Sequence, residues 1–140
     1  MTRLSRAQIA AAIVTIAVTA AIVVGIYLLG SPTDERARRL DERRVQDLSE
    51  IARAADVYWT RNTRLPASLD ALRTETGANI TIADPATGMS YEFRPLEGER
   101  YELCAVFEGE SRDSDRGFGA GFWSHRGGRQ CFQRDAQTIR

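Results

Sequence analysis

Residues Ile9 to Leu29 read IAAAIVTIAVTAAIVVGIYLL, 21 consecutive positions without a charge, in which only Thr15, Thr19 and Tyr27 carry polar side-chain atoms. As a helix rising about 1.5 Å per residue, the run spans roughly 30 Å, the thickness of bilayer hydrocarbon. It is apolar on every side, so no face is left for water, and the lipid bilayer is its expected surroundings. A cleaved signal peptide is the competing reading, but its apolar stretch is usually about 7 to 15 residues and ends at a small-x-small site. Leu28-Leu29-Gly30 is a poor cleavage sequence, which favours an uncleaved anchor. Ala10, Ala11, Ala12, Ala17, Ala20, Ala21 and Gly25 would permit close approach of a second membrane helix, although lone anchors share this composition.

The two flanks disagree about orientation. The positive-inside rule weighs Arg3 and Arg6 before the run against Arg36, Arg38, Arg39, Arg43 and Arg44 after it, and read literally it puts the following domain in the cytoplasm. The short N-terminal tail and the cysteines favour the opposite side, so the expected location is a cytoplasmic (inner) membrane, single-pass, with the domain outside.

The remaining residues exclude much. The 19 cationic side chains are all Arg and are matched by 19 acids, so the basic surplus that phosphate backbones require is missing and nucleic acid is not an expected partner. Without Lys there is no phosphate-loop lysine and no Schiff-base lysine. One His, His125, and two Cys, Cys104 and Cys131, cannot build a multi-histidine or four-cysteine zinc site within one chain. No cofactor, catalytic residue or small-molecule substrate is expected.

From Thr33 to Asn62 the pattern is helical, with Thr33 or Asp34 as cap and Asp34 and Glu35 at the positive end of the dipole. Leu40, Val45, Leu48, Ile51, Ala52, Ala55, Tyr58 and Trp59 recur at steps of 3 to 5 and form one apolar stripe. Thr33 to Arg44 is nearly all charged and reads as a solvated stalk, with Glu35 placed to pair with Arg38 or Arg39; binding of anionic lipid headgroups is the alternative. Pro66 ends the helix, and a single helical turn begun by Ser68 or Ala67 places Leu69 and Leu72 on the domain. Strands are expected at Ile80 to Ile82, Met89 to Arg94 and Tyr101 to Phe107, separated by turns at Asp84 to Gly88 and Leu96 to Arg100. In the last of these, Tyr101, Leu103, Ala105 and Phe107 share the face expected to meet the long helix. Phe122 to His125 is expected to begin a final pairing that turns at Arg126-Gly127-Gly128-Arg129 and ends at Gln130-Cys131-Phe132, and Asp135 to Arg140 reads as a frayed tail.

The organisation is therefore a tail (1–8), a transmembrane helix (9–29), a charged juxtamembrane stalk (30–44), an α+β domain (45–134) and a flexible tail (135–140), the domain being a long amphipathic helix on an antiparallel sheet of about three or four strands. Cys104 and Cys131, 27 positions apart, can pair in an oxidising compartment, where closing such a loop stabilises by roughly 3 to 4 kcal/mol. Two buried free thiols or a redox pair are the alternatives, and a CxxC spacing is absent.

Leu65-Pro66, Asp84-Pro85 with Thr87-Gly88 before Tyr91, and the strand carrying Tyr101, following an apolar helix that leads into a long amphipathic one, resemble the type IV pilins and type II secretion pseudopilins. Trp123-Ser124-His125, with Gly127 before Cys131-Phe132, is similar to the ending of small bacterial membrane proteins with a pilin-like domain. The resemblance implies an N-terminal helix whose outer half packs on a small antiparallel sheet, and partners among membrane or envelope proteins. The family's processing site, a Gly with Glu five places later at the start of the apolar helix, has no counterpart here, since no Gly precedes Gly25 and no acid precedes Asp34. What is left is a fixed pilin-like domain on a membrane stalk, or an accessory subunit of a larger membrane complex.

Two further constellations stand beside that reading. Asp113 and Asp115 alternate in a loop and could supply oxygens to calcium, as a C-terminal loop of major pseudopilins does, but Arg112 and Arg116 flank them and the remaining ligands are missing; a solvated loop is the plainer reading. His125 beside Ser124, with Asp113 or Asp115, invites a hydrolase triad, but no G-x-S-x-G is present, and a packed or hydrogen-bonded histidine is expected instead. The aromatic residues, Tyr58, Trp59, Tyr91, Phe93, Tyr101, Phe107, Phe122, Trp123 and Phe132, read as core, with some left open for a partner.

Overall fold

A computed structural model describes residues 5–29, 31–111 and 121–139. In chain order the elements are α1 (Arg6–Leu29), α2 (Pro32–Asn62), α3 (Leu69–Thr76), β1 (Glu92–Pro95), β2 (Arg100–Phe107) and β3 (Gly128–Asp135). Two units are distinguished, Met1–Arg36 and Ala37–Arg140.

In the first unit, α1 is long and apolar enough to cross a membrane. Its two threonines need no outside partner, because Thr15 Oγ1 donates to the Ala11 carbonyl (2.9 Å) and Thr19 Oγ1 to that of Thr15 (2.8 Å). Ile13, Val14, Ile16, Val18, Ile22, Val23, Val24 and Ile26 are all exposed around its circumference.

The second unit is α+β. Its sheet has the order β1-β2-β3, both pairings antiparallel, with Phe93 opposite Leu103 and Leu103 opposite Phe132. Tyr101, Leu103, Ala105 and Phe107 are buried in one core with Leu48, Ile51, Ala52, Ala55 and Tyr58 of α2, as the alternation in β2 and the stripe on α2 predict. Thr63, with a left-handed backbone (φ 51°), ends α2 before Pro66. Ser68 then caps α3, its Oγ accepting from Ala71 N (3.1 Å), and Gly77 closes it in the left-handed conformation that a residue with Cβ adopts at a cost. Leu69 and Leu72 of α3 complete the core.

Four expectations are corrected. Ile80 to Ile82 forms no strand; this segment makes an isolated bridge, Ala83 to Ser90, flanked by hydrogen bonds from Asp84 N to the Met89 carbonyl (2.8 Å) and from Tyr91 N to the Ile82 carbonyl (2.9 Å). Phe122 to His125 forms no strand and does not pair with Gln130 to Phe132; Trp123 and His125 are buried, but the His125 backbone bonds to Ser111, and Gly128 and Arg129, expected in the turn, already belong to β3, which pairs with β2. Asp41 and Arg44, read as part of a solvated stalk, are buried, Arg44 to 2% exposure. The tail beyond Asp135 is tied down. Ala136 is buried and its amide donates to the Glu99 carbonyl (2.8 Å), while Gln137 N donates to Asp56 Oδ1 (2.9 Å) and Ile139 N to Thr60 Oγ1 (3.0 Å).

That docking is measurable. Deleting residues 136–140 removes the Gln137 amide from the buried Asp56 carboxylate, leaving Arg134 as its donor, and exposes its surroundings. Denaturant unfolding of the detergent-solubilised chain should show a loss of about 1 to 3 kcal/mol. A frayed tail would leave the midpoint where it was.

Candidate functional site

The most concentrated chemistry in the second unit lies where three segments meet on α2. Arg44 Nε and Nη2 donate to the two carboxylate oxygens of Asp84 (2.5 and 3.3 Å), and Nη1 donates to Asp41 Oδ1 (2.7 Å). Planar guanidinium and carboxylate are matched for such a two-point contact. The second acid is not left in excess. Asp41 accepts the amides of Glu108 and Gly109 (2.9 Å each), and Asp84 accepts those of Ala86 and Thr87 (2.9 Å each) together with the Thr87 hydroxyl (3.2 Å).

Burial works against the Asp84 charge, but Arg44 and the two amides outweigh it and hold the carboxyl at about 2, below the ordinary carboxylate range. For Arg44 burial likewise opposes the charge and the two aspartates raise its pKa. Every named oxygen and the guanidinium are engaged, so the cluster is a clasp with no group free for acid–base work. It joins α2 to the Asp84 turn and to the end of β2.

The signal for this clasp was in the sequence. Asp41 and Arg44 continue the spacing of Leu48, Ile51 and Ala55 toward the N-terminus, in steps of 3 and 4, so they stand on the buried face. Reading charge density alone hid that phase.

His125 is buried and stacked on Phe107, ring centroids 3.8 Å apart, with Nδ1 3.1 Å from the Gly109 carbonyl. Its backbone is held by Ser111, whose Oγ accepts from His125 N (3.0 Å). Ser124 Oγ lies 3.3 Å from Ser111 Oγ. His125 is thus packed and hydrogen-bonded, closing the base of the β2–β3 connection. Asp113 and Asp115, named for calcium and for a triad, lie outside the described residues.

Cys104 and Cys131 face each other directly in the β2–β3 register and form a disulfide on the sheet face turned away from the core. Around it, Arg129 reaches across β2 to Glu92 of β1 (Nε to Oε1 2.9 Å, Nη2 to Oε2 2.6 Å), and its Nη2 lies 3.4 Å from Cys104 Sγ. Glu102 Oε2 is 3.9 Å from the same sulfur. Glu102, Cys104 and Cys131 bring one carboxylate oxygen and two sulfurs within 4.8 Å of one another. Joined to each other, the sulfurs offer no thiolate, and this donor set does not fit a metal ion in the oxidised form. The sequence reading named the cysteines; Arg129 and Glu92 were missed because only the β1–β2–β3 order brings them to one place.

The chain matches no family model, no curated protein and no solved structure. An apolar N-terminal helix together with a small antiparallel sheet is compatible with a pilin-like fold.

The clasp makes two predictions. Arg44→Met leaves two carboxylates buried without their cation and should cost about 3 to 5 kcal/mol in denaturant unfolding of the solubilised chain. Because the folded Asp84 pKa lies below its unfolded value, the stabilisation it brings is complete above about pH 4 and is lost as pH falls through 2. Acid titration of unfolding free energy should therefore show a decline of about 2 kcal/mol over that window in the natural chain. In Asp84→Asn that part of the decline should be absent.

Proposed function

We propose that this chain is a single-pass membrane protein that presents a pilin-like α+β domain on the outer side of a bacterial cytoplasmic membrane, for interaction or assembly in the envelope and without a reaction of its own. The observation that carries the reading is α1, 24 residues whose large apolar side chains from Ile13 to Ile26 are exposed all round and whose only threonines are satisfied within the helix. A helix with water on every side would lose about 1.5 to 3 kcal/mol for each such side chain relative to burial, whereas lipid accommodates them all.

The disulfide supports the outer side, since such bonds persist in oxidising compartments. The resemblance in Leu65-Pro66 and in the Asp84 to Tyr91 segment supports the pilin-like form. So does the buried face of α2 sharing one core with β2. The alternative, an accessory subunit of a larger membrane complex, is favoured by the small residues Ala10, Ala17, Ala21 and Gly25 along α1, which allow helices to approach closely.

Labelling intact cells with a membrane-impermeant maleimide tests the side. Cys104 and Cys131 should label only after an external reductant is added. Labelling that needs cell lysis but no reductant would reverse the orientation. Sizing after mild detergent extraction separates the two forms, because a lone anchor runs as a small micelle-bound chain and an accessory subunit runs with its complex.

A further inference from the structure

We propose that the disulfide is a one-sided thiol-exchange site, in which an external thiolate of the glutathione class attacks Cys131 and expels Cys104. Two features make the bridge asymmetric. Cys104 is on the central strand and 3% exposed, whereas Cys131 is on the outer strand β3 and half-buried. Exchange also needs the attacking sulfur to approach in line with the S–S bond, from behind the sulfur attacked. On the Cys104 side lies its register partner Glu92 on β1, joined to Arg129 by two hydrogen bonds. Behind Cys131 is the far side of β3, which pairs with no other strand among the described residues.

The leaving group is prepared as well. A disulfide sulfur departs more readily when the thiol it becomes is more acidic. Arg129 Nη2, 3.4 Å from Cys104 Sγ, offers a charged donor to the thiolate that forms. The opposing charges are Glu92, already bound to Arg129, and Glu102, whose Oε1 accepts from Gln133 Nε2 (3.3 Å) and whose Oε2 lies 3.8 Å from Arg94 Nη1. Arg129 is the nearest of these charged groups to the sulfur, ahead of Glu102 Oε2 at 3.9 Å.

The step balances without an outside oxidant. The thiolate RS⁻ bonds to Cys131 Sγ, the electron pair of the old S–S bond leaves on Cys104 Sγ, and the products are an RS–Cys131 mixed disulfide and a Cys104 thiolate beside Arg129. A second RS⁻ attacks the RS sulfur, forms RSSR and releases the Cys131 thiolate. The same chemistry holds on either side of a membrane. It gives the domain a reversible thiol-modification site at the edge of its sheet, distinct from the anchoring role proposed above.

The test uses the full chain in detergent, exposed briefly to reduced glutathione under native conditions, alkylated with N-ethylmaleimide and mapped by peptide mass spectrometry. Glutathione should be found on Cys131 and the alkyl group on Cys104, with the reverse arrangement at least about tenfold rarer. Arg129→Gln should slow opening by about threefold to tenfold and, by loosening Glu92, raise the share of glutathione on Cys104; Arg129→Lys should restore part of the rate. A merely structural Arg129 would change neither distribution nor rate below the unfolding transition. Equal adducts on the two cysteines, a preference for Cys104, or a bridge that opens only at the rate of global unfolding would each overturn the proposal.

Discussion

Arg44 is the point on which the second unit turns. Its guanidinium is all but sealed from water, and there it bridges Asp41 on its own helix to Asp84 on the turn before β1. A buried ion pair is expensive to form, since each charge leaves water, and it is favourable only where every remaining lone pair finds a donor. That condition is met here by the amides of Ala86, Thr87, Glu108 and Gly109. The arrangement selects one placement of the helix over the sheet, which apolar contact by itself would leave free to slide by a turn.

The same logic extends along α2. Three turns further on, Asp56 accepts from Arg134 and from the amide of Gln137, drawing in β3 and the C-terminal segment. Between these, Asp47 accepts from Tyr91 OH (2.8 Å), and burial together with that carboxylate raises the tyrosine's pKa. Tyr58 OH donates to Glu75 of α3 (2.8 Å). One helix thus carries an apolar stripe that drives collapse and polar positions beside it that assign each neighbour its place. The clasp also reaches the β2–β3 connection, because Asp41 holds the Gly109 amide while the Gly109 carbonyl meets His125 on Phe107.

What could be read from the sequence was whatever repeats locally. The apolar run of α1, the stripe from Leu48 to Tyr58, the helical segment after Pro66 and the alternation of Tyr101 to Phe107 each follow from spacing within a few residues, and each is present. The cysteine pairing was legible as one of three options, and the register of β2 with β3 puts the two residues opposite each other. Asp41, Arg44 and the residues after Asp135 look solvated until their partners, distant in sequence, are known. Phe122 to His125 reads as a strand because buried Trp123 and His125 imitate strand alternation while their backbone serves a loop. The functional reading rests on α1, while the Arg44 cluster and His125 of the second unit hold its described segments together.

Amide hydrogen exchange, compared between the natural chain and Arg44→Met, reports on the clasp most directly. If Arg44 organises both aspartates, the amides of Ala86 and Thr87 on one side and of Glu108 and Gly109 on the other lose protection together, while Ala71, bonded to the Ser68 cap, keeps its own. Unchanged protection at the four amides, or loss confined to the Asp84 turn, would contradict the account.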